Sequence, residues 1–264
     1  MWYSSFTRVT REGKGGKGMK LLVIDIETSP QLAHVWSLWK QTISLNQLME
    51  SGGVICFAAQ WEGSKKVLFY SDFHDGHAAM IQAAHDLLSE ADAVIHYNGT
   101  SFDMPHLNRE FLLAGLAPPA PYKNIDLLLA VRKKFRFVSN KLDYVTQAVG
   151  LQGKVHHEGH TLWVKCMAND PVAWSKMRTY CKMDVVQTGK LKKILVPWVA
   201  GLPNPALYNE SDEPTCERCG ETHLQRRGFA YTQLGAYQQW QCQGCKSWSR
   251  SAKRHHSVDL RGVS

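Results

Sequence analysis

The sequence predicts an α/β protein, a mixed sheet with helices packed on it, followed by a small cysteine-bound module. Three observations lead there. Short apolar strand patterns interleave with segments of helical period between residues 20 and 195. Four of the ten prolines (Pro197, Pro203, Pro205, Pro214) fall between 197 and 214, which marks a linker. Two C-x-x-C pairs come after that linker. A chain of 264 residues has room for one sizeable core and an appendage of this kind.

The elements follow in order. Residues 20–27 (KLLVIDIE) read as a buried strand that ends in acid-x-acid. Residues 54–61 (VICFAAQW) and 66–70 (KVLFY) read as two more strands, separated by the turn signal Glu62-Gly63-Ser64. Asp75 is placed to cap a helix in which Met80, Ile81, Ala84, Leu87 and Leu88 form one apolar face. Residues 93–97 are a short strand, followed by a polar turn and a helix over about 103–114. Residues 124–131 are apolar and fit a strand or a helix equally. Residues 140–149 fit a helix stopped by Gly150, where a left-handed cap costs glycine least. Asn169 or Asp170 then caps a long helix with Pro171 in its first turn, running to about residue 195. The expected organisation is a flexible basic arm (1–19), a main domain (20–196), a Pro-rich linker (197–214), a cysteine module (215–250) and a mobile basic tail (251–264).

Hydrophobic residues make up 44% and charged residues 20%, a balance that excludes wholesale disorder. The longest apolar runs, 21–24 and 54–59, stop far short of the roughly 20 residues that span a bilayer, so no membrane is expected. The first twenty residues have no apolar run for a signal peptide to insert. A cytosolic location follows as an expectation, with the seven cysteines as thiols or metal ligands and not disulfides. The net charge of +8 sits at the ends: residues 1–20 hold five basic and one acidic residue, and 212–264 hold eight and five. A near-neutral body with basic ends suits a polyanionic partner, because Lys and Arg displace counterions condensed on phosphates.

Three acidic pieces carry the chemistry. Asp25 and Glu27 are two apart on a strand, so both carboxylates project from one face, and like charges there repel unless a cation lies between them. Asn98-Gly-Thr-Ser-Phe102-Asp103 follows the 93–97 strand and puts an acid at a helix start, where ligand sites of α/β sheets gather; a plain helix cap is the other reading of Asp103. Tyr180 and Asp184 lie one turn apart on the long helix, beside a buried stripe of Met177, Cys181, Val185, Thr188, Leu191 and Leu195.

D-I-E, then N-x-x-x-F-D, then Y-x-x-x-D, in this order over 20–196, resembles the three exonuclease motifs of the DEDD superfamily in its tyrosine-bearing (DEDDy) branch. That branch includes the proofreading domains of family-A and family-B DNA polymerases. The wider run, DIETSP followed by VWSLWKQTISLNQL, also resembles stand-alone exonucleases carried by bacteriophages. The resemblance implies an RNase H-like fold with a mixed five-stranded sheet, and 3′→5′ removal of nucleotides. The implied substrate is a single-stranded DNA 3′ end, and a DNA polymerase or other replication protein is the implied partner. Asp25 would bridge two Mg²⁺ or Mn²⁺ ions, Glu27 and Asp184 would hold the ion carrying the water, and Asp103 would help hold the second ion. Tyr180 would orient the attacking water. Asn98 and Phe102 would place the terminal nucleotide, although Phe102 also suits core packing. The physics agrees. Two hard ions with oxygen ligands stabilise both the attacking and the leaving oxygen of an in-line displacement, and a tyrosine of ordinary pKa near ~10 is a poor base at neutral pH. RNA in place of DNA, and a non-catalytic nucleic-acid-binding protein on the same core, are the alternative readings.

Cys216-x-x-Cys219 and Cys242-x-x-Cys245, with 22 residues between the pairs, can close a tetrahedron around one structural Zn²⁺. A tail so poor in apolar residues needs such a staple. Two redox dithiols are the alternative, but they lack the strand-to-helix setting of such motifs. Cys56, Cys166 and Cys181 sit in apolar surroundings and are expected to be inert. Arg226, Arg227, Phe229, Tyr231, Tyr237, Trp240, Lys246, Trp248 and Arg250 interleave charge with rings, as nucleic-acid or protein docking surfaces do; packing of two or three of the rings into a small core is the other reading. Gly13–Gly18 matches G-x-G-x-x-G but precedes the first strand, so it reads as part of the basic arm. His156, His157 and His160 are assigned to a loop at the site entrance, and Trp36 and Trp39 to core packing, with a wedge against DNA as the other reading. The run Arg132, Lys133, Lys134, Arg136 with Phe135 and Phe137 fits a solvated helix face by default and a surface that tracks a strand backbone as the alternative.

Overall fold

The computed structural model describes residues 18–153, 158–199, 201–208 and 213–261. The expected basic arm up to residue 17, His156 and His157 lie outside them. The chain divides into two compact units, one over Lys20–Pro203 and one containing the described residues from Asn204 onward. No helix among the described residues is long and apolar enough to cross a membrane.

The larger unit is built on a five-stranded mixed sheet. Its strands are β1 (Leu21–Thr28), β4 (Val54–Trp61), β5 (Leu68–Ser71), β6 (Ala93–His96) and β7 (Lys123–Asp126), in the spatial order β5-β4-β1-β6-β7. β4 runs antiparallel to β1 and β5, whereas β6 runs parallel to β1 and to β7. Between β1 and β4 a short hairpin, β2 (Leu32–Ala33) with β3 (Leu48–Glu50), stands apart from the sheet. The helices are α1 (Asp72–Asp75), α2 (His77–Glu90), α3 (Asp103–Leu113), α4 (Leu127–Lys134), α5 (Leu142–Ala148), α6 (His160–Met167) and α7 (Pro171–Leu195).

The alternation of β1 sorts its side chains between the two faces. Leu22, Ile24 and Ile26 join Met80, Ile81, Ala84 and Leu88 of α2 and Leu107 and Phe111 of α3 in one core cluster. Val23, Asp25 and Glu27 therefore face the opposite side, toward α7. There a β-carbon on Gly189 would lie 3.8 Å from Val23, and the Cys181 thiol approaches the Asp25 carbonyl at 3.7 Å. Burying the α7 stripe thus forces the neighbouring positions Tyr180 and Asp184 toward the acidic end of β1.

Two local expectations are corrected and two open ones are resolved. Gly76, at φ +80, stands before α2 in place of Asp75, whose carboxylate instead accepts from the Ser71 amide at 2.9 Å. Residues 124–131 are both strand and helix, because Asp126 ends β7 and caps α4 through the Leu128 amide at 2.9 Å. Asp170, not Asn169, caps α7 by accepting from the amides of Val172 and Ala173. Trp36 and Trp39 are not in the core: they are 96% and 82% exposed in the β2–β3 arm, whose few residues supply no face to bury them.

The smaller unit is a four-stranded sheet of β8 (Leu224–Tyr231), β9 (Gly235–Cys242), β10 (Trp248–Arg250) and β11 (His256–Ser257), with β9 central. The segment expected as a mobile tail supplies β11, because His256 and Ser257 pair with Ala236 and Gly235. Pairing by backbone needs no apolar side chains, so its polar composition concealed it.

Candidate active site and metal centres

Asp25, Glu27 and Asp184 each present a carboxylate oxygen, and these oxygens lie within 4.8 Å of one another. Asp184 is buried and the other two are half-buried. A bulge in the β1–β4 pairing falls directly after Glu27, a common device beside functional sites, where it re-aims a side chain. The Tyr180 hydroxyl is hydrogen-bonded to Asp184. Burial, followed by the negative charges of Glu27, Asp184 and Asp25, holds its pKa far above that of an ordinary phenol. Tyr180 is therefore a fixed neutral donor, and its ring packs T-shaped with that of Trp163 from α6, centroids 6.1 Å apart.

Asp103 is placed differently. It is buried, and its Oδ1 accepts from the amide of Ile26, between the two β1 acids, at 3.0 Å. Burial pushes its pKa up to about 7; the Ile26 amide opposes this and the Asp126 charge adds to it. It is not a side-chain cap for α3, whose N-cap position is Phe102. Asp103 thus braces the strand carrying Asp25 and Glu27, and it lies outside the group of three converging carboxylates.

These groups open onto a cleft of about 700 Å³ lined by Asp25, Tyr180 and Asp184 together with Tyr97, Asn98, Arg132 and Lys141. Asn98 is held at φ +70, its amide donating to Asp126 Oδ1 at 2.9 Å, while Thr100 donates to Oδ2 at 3.2 Å. The turn closes tightly on the imidazole of His96, because a β-carbon on Gly99 would sit 2.4 Å from His96 Cγ. Phe102 is neither core nor cleft lining; it is 38% exposed and packs on His106 at 4.7 Å. His160 starts α6, an element with no clear sequence signal. Tyr97, Lys141 and Trp163 carry no mark in the sequence of their place beside the site, and Arg132 carries only that of a basic run.

The three carboxylates form a hard oxygen donor set that fits a divalent cation of the Mg²⁺ or Mn²⁺ kind. In the smaller unit the sulfurs of Cys216, Cys219, Cys242 and Cys245 also lie within 4.8 Å of one another. The Cys216–Cys245 and Cys219–Cys242 separations are 3.6 and 3.7 Å. Zinc–sulfur bonds of about 2.3 Å imply tetrahedral edges of about 3.8 Å, and a disulfide would need about 2.05 Å. The cluster therefore fits zinc. Burial disfavours the Cys216 thiolate, but the Ser247 hydroxyl and the amides of Cys219 and Arg218 outweigh it and bring its pKa down to about 7. Cys56, Cys166 and Cys181, by contrast, are buried, with thiol pKa values pushed up.

A family profile described as the RNase_H superfamily matches residues 45–196. The match covers more than half of the chain, and the protein belongs to that superfamily. It includes Asp103, Tyr180 and Asp184 and begins after β1, so Asp25 and Glu27 join the set through the pairing of β1 at the centre of the same sheet. No curated protein sequence matches the chain. The fold is RNase H-like, and membership points to a metal-dependent, nuclease-type activity on nucleic acid.

Proposed function

We propose that the protein is a DEDDy-type 3′→5′ exonuclease that removes nucleotides from single-stranded DNA ends, as stand-alone phage exonucleases do in replication, proofreading or DNA processing. The observation that carries this reading is the convergence of Asp25, Glu27 and Asp184 beside the Tyr180 hydroxyl. Asp25, Glu27 and Asp184 would hold the divalent ions, with Asp103 contributing through water. Bound there, such ions supply a hydroxide at neutral pH and charge stabilisation on both oxygens of the displacement. With its one O–H given to Asp184, Tyr180 would position the nucleophile by accepting a hydrogen bond from it; it does not take a proton, since its hydroxyl is held neutral. Asn98, which lines the cleft wall, would contact the terminal nucleotide.

The organisation we propose is a basic arm, an exonuclease domain (20–196), a linker (197–214) and a four-cysteine zinc ribbon that the β11 pairing extends past residue 250. The ribbon stacks Arg226 over Trp240 at 5.1 Å and Arg250 over Tyr237 at 4.2 Å, a charged aromatic surface suited to nucleic acid or a replication protein.

The test is a 5′-labelled single-stranded DNA incubated with Mg²⁺ or Mn²⁺, with EDTA, and beside Asp184→Ala. A ladder shortening from the 3′ end, lost with EDTA and in the variant, supports the reading. Intact DNA beside shortened RNA would make the protein an exoribonuclease. Binding without cleavage of either would leave a non-catalytic nucleic-acid-binding protein.

A further inference from the structure

We propose that the C-terminal turn of α4 and the groove beside it form the track along which a single-stranded nucleic acid reaches the cleft. This rests on the nuclease reading of that cleft. α4 borders two openings. Leu128 and Arg132, one turn apart, line the cleft that contains Asp25 and Asp184. Leu129, Lys133 and Lys134, rotated around the helix, line a second groove of about 270 Å³ together with Lys123 of β7 and Trp198.

Basic residues at a helix C-terminus complement the macrodipole, and that alone would explain Arg132, Lys133 and Lys134. It does not explain why Lys123, from a strand, joins the same groove. Nor does it explain Trp198, which leaves 56% of its surface exposed there while its ring packs T-shaped with that of Phe135, centroids 5.4 Å apart. Asp126, the acid in the groove wall, is occupied by the amides of Asn98, Thr100 and Leu128, so the open charges are cationic. A row of cations beside a braced, half-exposed indole has the chemistry of a single strand: phosphates along one side and base faces along the other. Arg132 and Lys141 extend the row into the cleft. A strand whose 3′ end sits at the carboxylates would thus place upstream nucleotides over Lys133, Lys134 and Trp198.

The test compares the full chain on a dinucleotide, which fills only the cleft, and on a 20-nucleotide DNA. The variants are K133E/K134E and Trp198→Ala, with Trp198→Phe as rescue. K190E/K193E, on the groove at the far end of α7, controls for charge alone. The expected result is a fall of about tenfold or more in kcat/KM for the long strand in K133E/K134E and Trp198→Ala. The dinucleotide rate stays unchanged, Trp198→Phe recovers most of the loss, and the control behaves as wild type. The salt slope of the K133E/K134E variant should also be shallower by about 1.4, as two lost phosphate contacts require. Equal rates on the long strand, or an equal fall in the control, would overturn the proposal. If wild type cleaves neither substrate, the nuclease reading has failed on its own. Fluorescence anisotropy with the labelled 20-mer then decides the track: selective weakening in K133E/K134E and Trp198→Ala supports it, and unchanged affinity overturns it.

Discussion

Asp103 Oδ1 accepts a 3.0 Å hydrogen bond from the backbone N–H of Ile26, the residue between Asp25 and Glu27, across 77 positions of sequence. The start of α3 is thereby tied to the strand whose side chains face α7. Asp103→Asn keeps an acceptor for that amide and removes the charge, which burial already disfavours. We expect unchanged urea stability and lost 3′ shortening in Asp103→Asn. Asp103→Ala leaves the buried amide without its acceptor and should also lose roughly 1–3 kcal/mol of stability.

Tyr180 and Asp184 are coupled by a hydrogen bond but have different tasks. Tyr180→Phe keeps the ring packed against Trp163 and loses only the hydroxyl. It should lower kcat by about 10²-fold, the scale of a mispositioned reactant. Asp184→Asn should abolish turnover. Single-turnover rates on one labelled strand separate the two results.

His96 gives the larger unit an acid-sensitive point. Its ring is buried, accepts from the Gly99 amide at Nδ1 (3.0 Å) and meets Asn124 Oδ1 through Nε2 (3.3 Å), a pattern that suits the neutral Nε2–H tautomer. Burial lowers its pKa and outweighs the attraction of Asp126. The unfolded chain therefore binds this proton more readily, and the stability present above the ordinary value of about 6.5 is lost as pH falls below it. Denaturant titrations at pH 7.5 and 5.0 should show a larger loss in wild type than in His96→Gln.

Zinc should hold the smaller unit together. One zinc per chain is expected by elemental analysis. Stripping it, or Cys242→Ser, should remove the ribbon's cooperative transition while the helical circular dichroism of the larger unit remains.

The site was legible in the sequence where local periodicity fixed direction. The i, i+2 spacing put Asp25 and Glu27 on one face, and the α7 stripe placed Tyr180 and Asp184 beside it. The four cysteines were legible because their spacing is set by a tetrahedron. What sequence could not supply was set by tertiary partners. The Ile26 amide holds Asp103 outside the three converging acids, and Trp36 and Trp39 stand exposed on the β2–β3 arm. Strand and helix patterns merged at 124–131 because a single residue, Asp126, ends one element and caps the next. β11 stayed hidden because backbone pairing leaves no mark in the side chains.

The most direct measurement is an anomalous difference map from a crystal of the protein soaked in Mn²⁺. Peaks within bonding distance of Asp25, Glu27 and Asp184, absent in an Asp184→Asn crystal, are the expected result. A map with no peak at these three carboxylates, from a soak at concentrations that support cleavage, would contradict the assignment of the acidic cluster as the catalytic metal site.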